Sequence, residues 1–311
     1  MNWEFLWSLQ SPVHRDMAWL VASPSLLSST ENMAVISSQE YTDWFEASKD
    51  WIQDEDRLSF YLQDKVNTPR QYKLGLYAED LILHFFEAHP FYELLIHDLQ
   101  IFQDLPVGRH CLGAMDFIVR SKKTNEIEHW EMAIKYFLQL QPSTDWLDFV
   151  GPSGKDSMHR KLNKMLGRQL PLSLRPETIV RLEELGLPPP TKRRIMSKGR
   201  FFQQWNVAFE APEGIDQNQP TGTWIRSKDF IQQFIFSPKR WKIRRHPRWI
   251  APYLTVNEAE LLTTEQVLEA PLERERFLML SEMVPCEKGW QEAYRWILVV
   301  DDWGRIEGGG K

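Results

Sequence analysis

Two strand-like segments that each carry a carboxylate constrain this 311-residue chain more than any other feature. Residues 112–119 and 127–140 are rich in apolar and aromatic residues and are joined by a polar turn, which predicts an antiparallel hairpin. Asp116 lies in the first segment and Glu131 in the second, so their side chains can approach each other across the pair. Because an acid pair on an apolar sheet is costly unless a cation compensates it, the hairpin predicts a divalent cation held by carboxylate oxygens.

Further elements are predicted around this hairpin. In residues 68–88, Pro69 at the first helical position and apolar residues at helical spacing predict a helix that carries Glu79. The other predicted helices lie in residues 13–27 and 154–170, the second of them basic, and residues 28–55 predict a loop followed by a helix with an aromatic face. Strands are predicted in residues 92–96, 99–102, 201–210 and 296–300. Together they predict an α/β fold, a mixed sheet of about four core strands flanked by helices.

Composition and turn signals bound the organisation of the chain. Hydrophobic residues at 42% and charged residues at 26% are typical of a globular protein and exclude disordered or collagen-like classes. The loop over residues 211–222 predicts a boundary, which divides the chain into an N-terminal helical extension (1–67), an α/β core (68–211) and a Trp-rich C-terminal region packed on the core (222–311). No apolar run predicts a membrane span or a secretion signal. The presence of only two cysteines, Cys111 and Cys286, favours the cytoplasm.

Three segments resemble the core of the PD-(D/E)XK nuclease-like superfamily. They are Gly75–Glu79, Gly113–Asp116 and Trp130–Lys135. Over nearly its whole length the chain is more closely similar to a bacterial family called domain of unknown function 1853, which has been placed in that superfamily. Supporting segments are Arg15–Trp19, Ser23-Pro24, Gly151-Pro152 with Asp156, Gln169-Leu170 and Trp303. The resemblance implies a restriction-endonuclease-like core and hydrolysis of phosphodiester bonds in DNA, or as a second choice RNA.

The resemblance also implies a metal site. Asp116 and Glu131 would bind Mg²⁺ or Mn²⁺, and Glu79 would complete the shell directly or through water. The superfamily pattern places a catalytic lysine two residues after the acid of the third segment, and this position is Ala133 in the present chain. The nearest lysine on the strand, Lys135, is four residues after that acid, about 13 Å along a regular strand.

Three alternatives for the catalytic cation stay open. A β-bulge beginning at Ala133 could bring Lys135 back towards the acids. Lys161 or Lys164, from the predicted basic helix that follows, could supply the positive charge instead. In the third alternative catalysis has been lost and the acidic cluster is vestigial. His129, although close in sequence, is assigned no role.

Positive charge is concentrated in residues 192–200 and 239–249, although the net charge of the chain is −6. The second stretch interleaves Trp241 and Trp249 with arginines, a pattern typical of a surface that follows phosphates and stacks on bases. Alternatively the tryptophans belong to the core and the basic side chains form a solvated face. We favour the core for the tryptophans and nucleic-acid binding for the charges. The predicted nucleic-acid contacts are Arg193, Arg194, Lys198, Arg200, Lys239, Arg240, Lys242, Arg244, Arg245 and Arg248.

Two functions follow from these patterns. The leading hypothesis is a Mg²⁺-dependent nuclease in which Glu79, Asp116, Glu131 and either Lys135 or Lys161 form the active site. The competing hypothesis is an inactive nuclease-like module that binds nucleic acid or a protein partner through the two basic stretches. The sequence contains no phosphate-binding loop ending in Gly-Lys-Ser/Thr, no His-Glu-x-x-His, no Gly-x-Ser-x-Gly and no Cys-x-x-Cys motif.

Overall fold

The computed structural model describes residues 3–54, 73–271 and 276–304. Within these ranges the chain forms ten strands and eight α-helices, which confirms the predicted mixed α/β class. The chain divides into two compact units, each built from three segments. The first unit comprises Met1–Ile134, His159–Gly199 and Gly214–Gln219, and the second comprises Lys135–Met158, Arg200–Glu213 and Pro220–Lys311.

The strands of the first unit follow the order β1-β2-β3-β5, with antiparallel pairing from β1 to β2 and from β2 to β3. This pairing confirms the hairpin predicted from the apolar pattern. The strands are β1 (Tyr92–Leu105), β2 (Gly108–Ser121), β3 (Ile127–Gln139), β4 (Phe149–Val150), β5 (Lys192–Gln204), β6 (Thr221–Arg226), β7 (Arg240–Arg244), β8 (Leu254–Thr255), β9 (Phe277–Cys286) and β10 (Gly289–Val299).

Strands β1 and β5 are among those that are longer than their predictions. The two short strands predicted between residues 92 and 102 form one strand, β1, which passes through Asp98 at a φ of 52°. Strand β5 begins at Lys192, nine residues before the predicted start, in a stretch that reads as a basic connector. It forms a strand because Ile195 and Met196 are buried and its basic side chains find partners inside the protein.

The helices confirm the predicted aromatic face of the helix within residues 28–55. They are α1 (Trp3–Ser8), α2 (Pro12–Ala22), α3 (Ser38–Gln53), α4 (Leu74–Phe86), α5 (Met158–Lys164), α6 (Pro176–Glu184), α7 (Ser227–Phe234) and α8 (Thr264–Leu268). Helix α3 begins with a capping box, in which the side chains of Ser37 and Glu40 each accept the other residue's backbone N–H. Trp44 of α3 stacks on Trp130 of β3, with ring centroids 5.5 Å apart and an interplanar angle of 7°. This contact anchors α3 to the strand that carries Glu131.

Two predicted helices differ in length from those observed. Helix α4 corresponds to the helix predicted over residues 68–88, and Pro69, the predicted first helical position, lies outside the described residues. The basic helix predicted over residues 154–170 is shorter, because α5 ends at Lys164 and a π-helical turn, Met165–Gln169, follows it. A π-helical turn changes the direction in which the following side chains point relative to an α-helix.

The strands of the second unit follow the order β5-β6-β10-β9-β7 in the sheet, with β4 paired to the end of β3 and β8 to β10. β6 pairs in parallel with both β5 and β10, whereas β9 pairs antiparallel with β10 and β7. Phe230, Phe234, Trp241 and Trp296 form an aromatic core beside this sheet. Among the described residues, no helix has both the length and the apolar composition that a bilayer crossing requires.

Candidate functional site

Asp116 on β2 and Glu131 on β3 form an acid pair in the first unit. The β2–β3 register ends with Phe117 opposite Trp130, and the next residue of each strand is Asp116 and Glu131. Oδ2 of Asp116 accepts the backbone N–H of Met132, the residue that follows Glu131, at 2.8 Å. Glu131 is fully buried, whereas Asp116 is partly exposed. Solvent therefore reaches the acid pair from the side of Asp116.

The acid pair holds protons more tightly than ordinary carboxyl groups do. Burial raises the pKa of Asp116 to about 7, the negative charge of Glu131 adds to this rise, and the Met132 N–H opposes it. Burial likewise raises the pKa of Glu131 to about 7, against the positive charges of Lys161 and Lys164. Because the two groups interact, the pair is partly protonated at neutral pH.

Three side chains surround Glu131. Nε2 of His129 lies 2.9 Å from Oε1 of Glu131, and the Gln169 amide donates to Oε2. Nζ of Lys161 in turn donates to Oε1 of Gln169 at 3.4 Å. Burial lowers the pKa of His129 to about 4, so this imidazole is neutral at pH 7. Gln169 thus contacts both Lys161 and Glu131, and the positive charge of Lys161 opposes the rise in the pKa of Glu131.

The sequence reasoning missed the contacts of His129 and Gln169. A signal for His129 was present, because residues two apart on a strand share a face and His129 precedes Glu131 by two. Gln169 was singled out only through the family resemblance. Its position on Glu131 depends on the π-helical turn Met165–Gln169, which hydrophobic periodicity does not reveal.

Two further predicted site residues are Glu79 and Lys135. Glu79 is a partly exposed residue of α4, and Nζ of Lys135 in the second unit donates to Oδ2 of Asp156 at 2.6 Å. Within residues 3–54, 73–271 and 276–304, no group of three or more His, Cys, Asp or Glu side chains is arranged to hold a metal ion. Of the candidate lysines, Lys161 carries a positive charge that opposes the rise in the pKa values of Asp116 and Glu131. Lys135 forms an ion pair with Asp156.

One protein family, described as domain of unknown function (DUF1853), has a model that matches residues 15–299. The chain belongs to this family. The match includes the acid pair and its neighbours, so the site described above lies inside the DUF1853 domain. Neither a curated protein nor a solved structure matches the chain.

The first basic stretch of the DUF1853 domain is largely internal. Lys198 is fully buried, and its Nζ donates to the backbone oxygen of Ser23 at 2.5 Å. Burial lowers the pKa of this lysine well below its ordinary value. Arg200 is also buried, and Arg194 forms an ion pair with Glu40. Lys198 and Arg200 therefore cannot reach a phosphate while this part of the domain stays folded.

The second basic stretch is partly committed to internal contacts. Lys239 and Lys242 each form an ion pair with a glutamate, and Arg244 forms a buried one. Trp241 and Trp249 are buried, which confirms the core interpretation of the two tryptophans. The remaining predicted contacts of the DUF1853 domain are partly or fully exposed, namely Arg193, Arg240, Arg245 and Arg248.

Proposed function

We propose that the acid pair is the centre of a Mg²⁺-dependent phosphodiesterase of the PD-(D/E)XK type, with DNA as the first substrate class and RNA as the second. The observation that carries this proposal is the position of Asp116 and Glu131 on adjacent strands, next to the pair Phe117–Trp130, with the pKa values of both carboxyl groups raised to about 7. A sheet that holds two such acids side by side is destabilised unless a proton or a cation lies with them. We also propose that the sheet of the first unit is a restriction-endonuclease-like core.

The donor set suits a hard divalent ion. Mg²⁺ prefers oxygen ligands and is commonly held by one or two carboxylates, with waters and substrate phosphates completing its shell. Asp116 and Glu131 provide two such carboxylates, one of them open to solvent. When bound, Mg²⁺ or Mn²⁺ would supply the positive charge that polarises the scissile phosphate and lowers the pKa of the attacking water. Glu79 as an additional ligand stays a prediction.

The residues around the acid pair would position it for this reaction. The N–H of Met132 fixes one oxygen of Asp116, and His129 and Gln169 each contact a different oxygen of Glu131. Preorganised groups of this kind lower the free energy of a transition state because they need not reorient during the reaction. We assign to Lys161 the role of the superfamily lysine, stabilising the negative charge that grows on the phosphate.

The partly or fully exposed arginines support the choice of a nucleic-acid substrate. Arg193, Arg240, Arg245 and Arg248 carry positive charge at the surface, and guanidinium groups bind phosphate oxygens in a bidentate way. Binding of this type depends on the phosphate backbone and carries no base specificity. The proposed substrate is therefore a phosphodiester chain without a defined recognition sequence.

Cleavage of plasmid DNA and of end-labelled single- and double-stranded oligonucleotides by the full chain, with Mg²⁺ or Mn²⁺, tests the proposal. We expect Asp116→Asn and Glu131→Gln each to lower the rate by on the order of 10²–10³-fold, because each removes a ligand charge. Lys161→Met should lower the rate in the same assay, whereas the matched variant Lys135→Met should keep it.

The same assay identifies the alternative function. Both side-chain oxygens of Glu131 contact neighbouring groups and Lys135 binds Asp156, an arrangement that also suits an inactive module that only binds nucleic acid. If the folded wild-type chain binds DNA or RNA but cuts neither with either ion, the phosphodiesterase proposal is wrong. Cleavage that survives Asp116→Asn would also contradict it.

A further inference from the structure

A cavity of about 710 Å³, hereafter the loop cavity, lies in the second unit, where the loop over residues 151–156 that follows β4 forms part of its wall. Its volume is within the range of about 300–1,000 Å³ that is typical of small-molecule sites. The wall also contains Trp303. Gly151-Pro152, Asp156 and Trp303 are among the segments that support the family resemblance, and the proposed phosphodiesterase site does not use them.

The loop over residues 151–156 is held in place by hydrogen bonds. The backbone N–H of Gly151 donates to the backbone oxygen of Asp156, and that of Gly154 donates to the backbone oxygen of Gly151, both at 2.8 Å. Gly154 has a φ of 72°, a left-handed conformation that glycine adopts without strain. Oδ2 of Asp156 accepts from Nζ of Lys135 at 2.6 Å, which ties the loop to β3. The loop therefore presents its exposed side chains from a defined backbone.

The segment that follows β10 forms another part of the wall and is also held in place. Nη1 of Arg226 donates to the backbone oxygens of Asp301 and Trp303, both at 2.7 Å. The buried indole of Trp303 donates from Nε1 to the backbone oxygen of Pro152 at 2.7 Å, which joins this segment to the loop. Because both parts of the wall are fixed before a ligand arrives, little conformational entropy is lost when the loop cavity is filled.

Aliphatic side chains contribute a further part of the wall. The partly exposed Leu140 and Val150 line the loop cavity, and so does Leu147, which is 56% exposed. Water at such a concave apolar surface is released when the apolar body of a ligand covers it, and this release favours binding. The loop cavity therefore suits a ligand with a hydrocarbon part.

The loop cavity also carries one positive charge that no carboxylate balances. Its charged lining residues are Lys155, Arg276 and Asp302. Arg276 forms an ion pair with Asp302 at 2.7 Å, so these two charges cancel. Among the residues that the structure describes, none forms an ion pair or a hydrogen bond with the side chain of the exposed Lys155 or of the exposed Ser153. An ammonium group and a hydroxyl on one loop favour a small anion such as a carboxylate.

We propose that the loop cavity binds an aliphatic monocarboxylate of medium chain length. The carboxylate contacts the ammonium group of Lys155 and the hydroxyl of Ser153, and the hydrocarbon chain covers Leu140, Leu147 and Val150. The single negative charge of this ligand matches the one positive charge that is left unbalanced in the cavity, and its chain matches the aliphatic part of the wall. The inference does not depend on hydrolysis at the acid pair.

Isothermal titration calorimetry of the full chain with octanoate, butyrate, octan-1-ol and octanedioate tests this proposal. We expect octanoate to bind saturably. Butyrate should bind at least about tenfold more weakly, because it covers less apolar surface and each fully buried methylene changes the affinity by about fourfold. Octan-1-ol should bind about threefold to fivefold more weakly, because it lacks the charge that pairs with the lysine. Octanedioate should also bind more weakly than octanoate, because its second carboxylate lies against apolar side chains.

Two variants of the lining separate the charge from the apolar wall. Lys155→Met should weaken octanoate by about threefold to fivefold and change octan-1-ol by less than about twofold, because only octanoate loses an ion pair. Leu147→Asn should weaken both ligands by about the same factor, since both use the same wall. Lys288→Met is the matched control, because Lys288 is an exposed lysine of the same unit outside the cavity lining, and it should leave both affinities unchanged.

Several outcomes would overturn the proposal. They are the absence of saturable octanoate binding at millimolar concentration, equal affinities for octanoate and butyrate, tighter binding of octanedioate, and an unchanged octanoate affinity in Lys155→Met or Leu147→Asn. Circular dichroism of each variant verifies that the fold is intact. Asp116→Asn should retain the octanoate affinity, so that failure of the proposed hydrolysis is distinguished from failure of the proposed binding.

Discussion

Buried charged side chains are accommodated in three different ways in this protein. The acid pair takes up a proton, because burial raises the pKa values of Asp116 and Glu131 to about 7. Lys198 loses its proton more easily than an ordinary lysine, since burial lowers its pKa, and its amine donates to Ser23. Arg244 keeps its charge beside a buried carboxylate. The acid pair is the case whose charge changes near neutral pH, which fits a functional site better than a structural one.

Replacing Asp116 with Asn should change how stability depends on pH. In the folded wild type the pKa of Asp116 is about 7, whereas in the unfolded chain the same carboxyl group has the ordinary aspartate pKa of about 4. The folded state therefore binds more protons between these values, and the wild type loses stability as pH rises through that window. We expect the wild type to lose about 1–2 kcal/mol in free energy of unfolding relative to Asp116→Asn between about pH 5 and pH 8.

Urea denaturation at several pH values measures this difference. Comparing the two proteins cancels the opposite contribution of His129, whose lowered pKa makes stability rise with pH in the acidic range. Asp104→Asn, at an exposed position of β1, is the control and should show no such trend. A difference between the wild type and Asp116→Asn that does not vary with pH would mean that Asp116 titrates normally.

At the scale of elements, the sequence predicted the helices and strands in which apolar residues recur in a regular pattern. The apolar and aromatic residues of β2 and β3, with the polar turn between them, predicted the hairpin and hence the position of Asp116 beside Glu131. The π-helical turn that brings Gln169 to Glu131 has no repeating signal of its own, because it is a local change in winding within a continuous helical segment. The centre of the site was thus predictable, and its surroundings were not.

Strand β5 shows why a charged stretch can be misread. Its basic residues suggest a solvated connector, yet Lys198 and Arg200 are buried. Their partners, the backbone oxygens of Ser23 and Thr221, come from distant parts of the chain and carry no sequence signal. A backbone oxygen accepts the hydrogen bond of a buried basic side chain, so a basic residue in the sequence does not by itself predict exposure.

Close packing within β6 leads to a prediction about glycine. A Cβ added at Gly222 would lie 2.5 Å from Cε1 of Phe202 and 2.7 Å from the backbone oxygen of Arg295. Gly222→Ala should therefore lower the free energy of unfolding by about 1–3 kcal/mol, because the aromatic ring and the neighbouring strand must move.

Gly75→Ala is the matched comparison, since the same methyl group at the start of α4 meets no atom within 4 Å. There the substitution should raise the free energy of unfolding by about 0.5–1 kcal/mol, because alanine favours the helix. Thermal denaturation of both variants measures the two effects. Equal melting temperatures for the two variants would contradict the packing argument.

At the scale of the whole molecule, the chain passes between its two units five times. Each unit gathers segments that are distant in sequence, so no single loop separates the two. The loop over residues 211–222 coincides with two of these passages, at residues 213–214 and 219–220. The passages inside β3 and β5 carry no proline that would mark a boundary, because a strand there continues without interruption.

The number of exposed basic residues sets an expectation for nucleic-acid binding by the whole chain. Each phosphate contact contributes a slope of about −0.9 to the dependence of log affinity on log salt concentration for duplex DNA. A variant with four arginines replaced by alanine, namely Arg193, Arg240, Arg245 and Arg248, should therefore have a slope that is about 3 to 4 less steep. Fluorescence anisotropy with a labelled duplex across a salt series provides the measurement.

The paired lysines provide the control for this experiment. Lys239→Ala combined with Lys242→Ala removes two charges that are already bound to glutamates, so the slope should change by less than about 1. If this double variant flattens the slope as much as the arginine variant does, the ion pairs open on binding and exposure in the free protein does not identify the contacts.

The raised pKa values of Asp116 and Glu131 have a consequence for how the molecule migrates in an electric field. The formal charge of −6 counts both side chains as ionised. With both pKa values at about 7, the real charge at neutrality is about one unit less negative. Its electrophoretic mobility should accordingly vary between pH 6 and pH 8, a range in which proteins titrating only through ordinary aspartates and glutamates keep their carboxylate charge constant.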